Sequence, residues 1–189
     1  KWQAQINADL DAYEAAGETY LYDSPSLHAL QTYVDGDYVG NPELIEILAN
    51  NALSSVQFLS ELGAKWQPTI TAAVGATWTR SHTPTQDFGS AGASFVLPQT
   101  KAYEALGGQI IFEHRASELI KDGNRVIGVK GETTDGTPFI AHANKGVVIC
   151  TGGFGANVEM RQKYNKHWAN LDETVETTNV STATGDGIV

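Results

Sequence analysis

The residues best equipped for chemistry crowd the last quarter of the chain. Positions 146–160 read GVVICTGGFGANVEM, an apolar run that breaks into glycines and then turns helical. A strand, a glycine turn and a helix in that order can bring backbone amides to a phosphate. The dinucleotide form of the motif needs G-x-G-x-x-G and an acidic residue about 20 positions on, after a second strand. Here Gly153-Phe154-Gly155 is followed by Ala156-Asn157-Val158, and Asp172 and Glu173 lie in polar sequence with no strand before them. The pyrophosphate reading therefore fails on both spacing and context. What survives is a turn, Thr151-Gly152-Gly153, whose missing side chains let another group approach the backbone, and Asn157 as cap of a helix bearing Met160 and Tyr164. Further on, Asp186 stands between Gly185 and Gly187, a turn former or an exposed acceptor.

Other chemistries find little support. Cys150 is the single cysteine, which excludes an intrachain disulfide and a thiolate cluster, and its place at the end of an apolar strand predicts a buried, inert thiol. His28, His82, His114, His142 and His167 show no metal-ligand spacing, so no metal site is expected. Twelve Lys+Arg against 22 Asp+Glu give a formal charge of -10, with no basic stripe, which disfavours nucleic acid as a partner. No apolar run reaches the ~20 residues of a membrane span. With 41% apolar residues, 18% charged and 19 glycines, the composition is that of a loop-rich globular chain.

The elements that must position these residues fall into four stretches, 1–66, 67–97, 98–154 and 155–189. Residues 1–66 read as helices. Trp2, Ile6, Leu10 and Tyr13 recur at helical spacing before Gly17, and Ser24-Pro25 opens a second helix closed by Asp35-Gly36. Asn41-Pro42 opens a third, which carries Leu44, Leu48, Ala52, Val56, Leu59 and Leu62 to a stop at Gly63. Residues 67–97, rich in Thr, Gly, Ser and Ala, read as one long loop, and Pro98 as the start of a helix ending at Gly107-Gly108. Then the period becomes two: QIIFEH, ASELIK, RVIGVKGETT and PFIAHA, the last three parted by Asp122-Gly123-Asn124 and Asp135-Gly136-Thr137, predict an antiparallel meander. GVVIC, apolar on consecutive positions, predicts a strand covered on both faces. Residues 155–189 follow as a helix and a loop to Thr-Gly-Asp-Gly.

Taken in order, GDYVGNPELIEILANNALSSVQFLSELGAKW, RSHTPT, the meander, GVVICTGGFGANVEM and TTNVSTATGDGI resemble the flavoprotein family of soluble fumarate reductases and flavocytochromes c. That family also takes in urocanate reductases, succinate dehydrogenase flavoprotein subunits and, more distantly, 3-ketosteroid dehydrogenases. The resemblance implies an α/β fold, with this α+β portion forming an internal part of a glutathione-reductase-like FAD-binding domain. The first βαβ unit and the capping domain are then expected outside residues 1–189.

By that resemblance, Thr151, Gly152 and Gly153 lie beside FAD, with Cys150 replacing the usual alanine. Thr184, Gly185 and Asp186 form the loop whose aspartate contacts the cofactor, here without the proline common before it. Ala116 presents backbone to the adenine. The loop at Arg80, His82, Pro84 and Thr85 matches the family's R-x-H-R-P-T-G-G stretch, with Thr83 for the arginine and Gln86-Asp87 for the glycines.

The implied reaction is reduction of the activated C=C bond of a small unsaturated carboxylate, with an electron-donor protein or domain as a further partner. The implied setting is extracytoplasmic, periplasmic or at the cell surface. The family's substrate-binding and proton-donating residues follow the Thr-Gly-Asp-Gly loop, so no catalytic residue is expected in this chain, which by itself should be inactive. Two rivals stay open: a 3-ketosteroid dehydrogenase-type flavoprotein, and a non-catalytic binding module that has lost its flavin site.

Overall fold

The computed structural model describes residues 1–188, and they fall into two compact units divided between Ile110 and Ile111. The first unit holds three helices, α1 (Gln3–Ala15), α2 (Pro25–Asp35) and α3 (Pro42–Glu61), then a hairpin, β1 (Trp66–Thr71) and β2 (Ser81–Pro84), and then α4 (Ala91–Ala105). The second holds the meander β3 (His114–Asp122), β4 (Arg125–Thr133) and β5 (Pro138–His142), followed by α5 (Val158–Tyr164).

Capping chemistry explains where the helices begin. Ser24 Oγ accepts from Leu27 N–H ahead of Pro25, and Asn41 Oδ1 accepts from Glu43 and Leu44 N–H ahead of Pro42. The core of the first unit is Trp2, Ile6, Ala29, Ile45 and Ala49, flanked by Leu27, Leu30 and Tyr33. This corrects the first half of the expected stripe of α3, while Ala52, Val56, Leu59 and Leu62 are half-buried as expected. Leu44 and Leu48 are more than half exposed, and the buried line is Ile45–Ala49, rotated by one residue toward α1 and α2. Hydrophobic type alone left both faces of this helix open to burial, and the neighbouring helices select one of them. Trp2 is fixed further by its indole N–H donating to Glu46 (2.8 Å) and by an edge-on contact with Tyr33. Lys1 and Trp2, bonded to Glu46, hold its carboxyl below the usual range.

The stretch 67–97 is not one loop. β1 and β2 pair antiparallel, Ile70 opposite His82 and Thr71 opposite Ser81, with an irregularity after Trp66. The helix expected to start at Pro98 starts at Ala91 instead, where Ser90 Oγ accepts from Ala93 N–H, and Pro98 lies buried inside it. A cap eight residues upstream outweighs the proline, whose missing N–H gives up a single rung of the ladder. Ser94, buried, donates to the Thr85 carbonyl (2.5 Å) and ties α4 to the end of β2.

The meander forms as the turn residues dictate, with strand order β3-β4-β5. Asp122 pairs with Arg125 across Gly123-Asn124, and Gly123 has φ 56°. QIIFEH contributes only His114 to a strand, and Ile111 and Phe112 are exposed. GVVIC also departs from expectation: residues 146–150 belong to no strand, Val148 is 86% exposed, and Cys150 is exposed rather than buried. A consecutive apolar run becomes a buried strand only between neighbours that bond both its edges and cover both its faces. The described residues supply none here.

Candidate functional site

The Thr151 turn and the Thr184 loop, 33 positions apart in the chain, are built into one another. From the turn side, Asn157 opens α5: its Oδ1 accepts from Met160 N–H (3.0 Å), while its Nδ2 donates to the Thr184 carbonyl (3.0 Å). One residue earlier, Ala156 N–H donates to the Ala183 carbonyl (2.9 Å). Arg161, on the last turn of the same helix, donates through Nη2 to the Asp172 and Val175 carbonyls (2.9 and 2.6 Å) and so gathers the intervening tail. Asp172 in turn accepts from the Thr174 hydroxyl and N–H, which hold its carboxyl below the usual range.

Glycine is required in the loop by space as well as by conformation. Gly185 is buried with φ 86°, and a Cβ there would come within 2.6 Å of Met160 Sδ and 2.9 Å of Phe154 Cβ. A Cβ on Gly187 would overlap Thr151 Oγ1. The turn behaves in the opposite way. Gly152, with φ 75°, and Gly153 would place a Cβ in open space, so nothing within this chain crowds either residue. Their backbone is open to solvent within this chain.

Asp186 remains exposed between these glycines, its carboxylate accepting from the Thr184 hydroxyl (2.6 Å). That bond orients an acceptor-only group and leaves its other lone pairs free. Thr151, Gly152, Gly153, Thr184, Gly185 and Asp186 thus share one locality. Ala116 takes part in none of these contacts. It lies on β3 opposite Gly131, beside a bulge that leaves Ser117 without a partner between the Ala116 and Glu118 pairs. The bulge frees the backbone of Ser117, next to Ala116, from the ladder.

In the first unit, the R-x-H stretch is fastened down. Arg80 Nε and Nη2 make a two-pronged contact with Asp23 (2.9 and 2.8 Å), and Nη2 also meets Gln31 (2.6 Å). The guanidinium is thereby committed to its own chain. His82 is an exposed strand residue edge-on to Trp66. Partial burial, reinforced by the Arg80 charge against the opposing pull of Asp23, pushes the His28 imidazole below its ordinary pKa. No group of three His, Cys, Asp or Glu able to hold a metal occurs among the described residues, and no helix there is long and apolar enough to cross a membrane.

Comparison with known proteins shows which family the chain comes from. The family model described as FAD binding domain matches residues 12–189. The chain belongs to the FAD binding domain family. It is 36% identical to NADH:acrylate oxidoreductase of Vibrio harveyi in an alignment covering 97% of this chain and 19% of that protein. It is 32% identical to urocanate reductase of Eggerthella lenta, over 88% of this chain and 27% of that one. A solved flavocytochrome c3 fumarate reductase in its open conformation superposes with a TM-score of 0.72 at 26% identity, covering 93% of this chain and 29% of the other. The mixed helical and antiparallel architecture is therefore part of a flavoprotein FAD-binding domain, and the chain spans less than a third of the length of each of these relatives.

The residues of this chain fit part of such a cofactor. Two uncrowded glycines, an oriented carboxylate and a bulged strand suit contacts to rings and hydroxyls, with no arrangement here for the pyrophosphate. Reading the sequence singled out Asn157 as a cap but missed its second bond, because the partner carbonyl lies 27 residues on and any residue type can supply it.

Proposed function

We propose that this chain is the middle portion of the FAD-binding domain of a reductase that acts on the C=C bond of a small α,β-unsaturated carboxylate. The observation that carries the reading is the near-complete match of the chain to an NADH:acrylate oxidoreductase, joined by the match to a urocanate reductase. Acrylate and urocanate share one reactive feature, a C=C bond conjugated to a carboxylate. Bound FAD supplies the hydride donor for that bond.

The chain's own residues would bind and orient. Asp186, steadied by Thr184, would accept hydrogen bonds from the cofactor's hydroxyl or N–H groups. Gly152 and Gly153 would let its ring system lie against bare backbone beside Thr151. Gly185 keeps the loop close to Met160 and Phe154, and the bulge at Ala116 would offer main-chain groups to the adenine. No catalytic acid, base or substrate clamp is assigned to this chain, and Arg80 is excluded from that role by its bonds to Asp23 and Gln31. Residues 1–189 alone would therefore be inactive. An electron-donor domain or protein and an extracytoplasmic setting belong to the same reading.

The test is to purify the full-length protein and record its visible spectrum. Flavin bands are expected. After anaerobic reduction, acrylate, fumarate or urocanate should reoxidise the flavin, whereas a 3-ketosteroid should not. Absence of flavin that added FAD does not restore would end the reading, and reoxidation by the steroid alone would replace the substrate class.

A further inference from the structure

We propose that Asn157 is a positioning residue that sets Asp186 against the Thr151–Gly153 turn, and that its amide rather than its capping role makes it necessary. The proposal rests on the reading of this locality as part of an FAD site.

An asparagine side chain carries an acceptor and a donor at opposite corners of one plane, and here both are engaged. Oδ1 takes the Met160 N–H and closes the first turn of α5, while Nδ2 gives to the Thr184 carbonyl. Turning the amide over would set donor against donor and oxygen against oxygen, so the two bonds fix its orientation together. From Thr184 the connection continues within one residue to the hydroxyl bonded to Asp186. Ala156 N–H to the Ala183 carbonyl runs alongside, and the lack of a side chain at Gly185 keeps the strap tight against Met160 and Phe154. The placement of Asp186 thus depends on a side chain 29 positions earlier that need not touch a ligand.

Residue chemistry separates the two roles of Asn157. Aspartate and serine both cap helices well, yet ionised aspartate has no donor for a carbonyl and serine is too short to reach one in addition to the cap. Asn157→Asp and Asn157→Ser therefore keep α5 and cut the link to Thr184, with and without a new charge near Asp186. Asn157→Ala removes both.

The experiment is peptide-level amide hydrogen exchange and FAD affinity, measured on the full-length protein. In Asn157→Asp and Asn157→Ser, exchange should quicken in peptides spanning Ala156 and Thr182–Ile188 while α5 keeps its protection. The FAD Kd should rise about three- to tenfold, the equivalent of one net hydrogen bond. In Asn157→Ala the helix should loosen as well. Unchanged exchange at 182–188 in both capping variants would overturn the positional link whatever the cofactor does. Quickened exchange with an unchanged Kd would overturn its role toward FAD. If the unsubstituted protein takes up no FAD, the family-based reading fails and the role toward FAD falls with it, while the exchange data still decide the positional link.

Discussion

The helical core and the segment Gly146–Cys150 are both apolar in sequence, yet one buries its side chains and the other exposes them. Ala29 is 1% and Trp2 7% exposed, against 52% for Ile149 and 86% for Val148. A helix satisfies its own backbone and needs only one neighbour for its apolar stripe. A strand has bare N–H and C=O groups on both edges, so apolar character alone cannot build it. The comparison separates what a segment can do by itself from what it must borrow.

The sharpest way to break the contrast is at Trp2. Trp2→Ala empties a buried site, removes the indole bond to Glu46 and loses the edge contact with Tyr33. A cost of about 3–5 kcal/mol is expected, read from urea unfolding followed by far-ultraviolet circular dichroism. A change below about 1 kcal/mol would mean that this cluster is not the core. Next in size is Gly131→Ala in the meander, where a Cβ would overlap the Arg115 carbonyl oxygen and press on the Ala116 backbone. Backbone gives way less readily than a side-chain tip, so about 1–3 kcal/mol is expected, together with faster amide exchange in β3 and β4.

The same distinction governs how much could be read from sequence. The caps at Ser24 and Asn41 act within four residues, and both helices begin where those residues and the following prolines put them. Gly123 and Gly136 likewise mark the meander turns, because a positive φ is a local demand. Pro98 misled because a proline can open a helix or interrupt one, and the Ser90 cap that settles the choice lies outside its immediate surroundings. The β1–β2 pairing left no alternating pattern to read, since most of its side chains are not buried. At the site, residue types and motif order pointed to the Thr151 turn and to Asp186. The bonds that unite them run through carbonyls, which leave no mark in a sequence.

A milder perturbation addresses the Asp23–Arg80 contact. Both side chains are partly solvated, 32% and 20% exposed, so Asp23→Ala should cost only about 1 kcal/mol despite the two-pronged geometry. A double-mutant cycle with Arg80→Ala would isolate the coupling, and additive effects would show that the contact contributes nothing. The neighbouring His28 adds a pH dependence of definite sign. Its folded pKa is depressed from the ordinary 6.5, so the unfolded chain binds the proton more readily, and stability present above pH 6.5 is lost as pH falls through that region. His28→Gln should flatten this part of the stability curve between pH 7.5 and 5.5; an unaltered slope would assign it to other groups.

The smallest expected effect is the most discriminating. Val148→Ser replaces an exposed apolar side chain in a segment with no strand partners, so the stability of residues 1–189 should change by no more than about 0.5 kcal/mol in urea unfolding. In a full-length protein, strands that flanked and covered this run would raise the cost of the same substitution to about 1.5–3 kcal/mol, the worth of one buried valine with a hydroxyl added to the penalty. A near-zero result in both would mean that GVVIC stays uncovered, and the Thr151 turn would then hang from a flexible lead instead of a sheet. A large loss in the short chain would mean that Val148 is buried there after all. The two measurements together show whether the approach to Thr151-Gly152-Gly153 is held by this chain or by its neighbours.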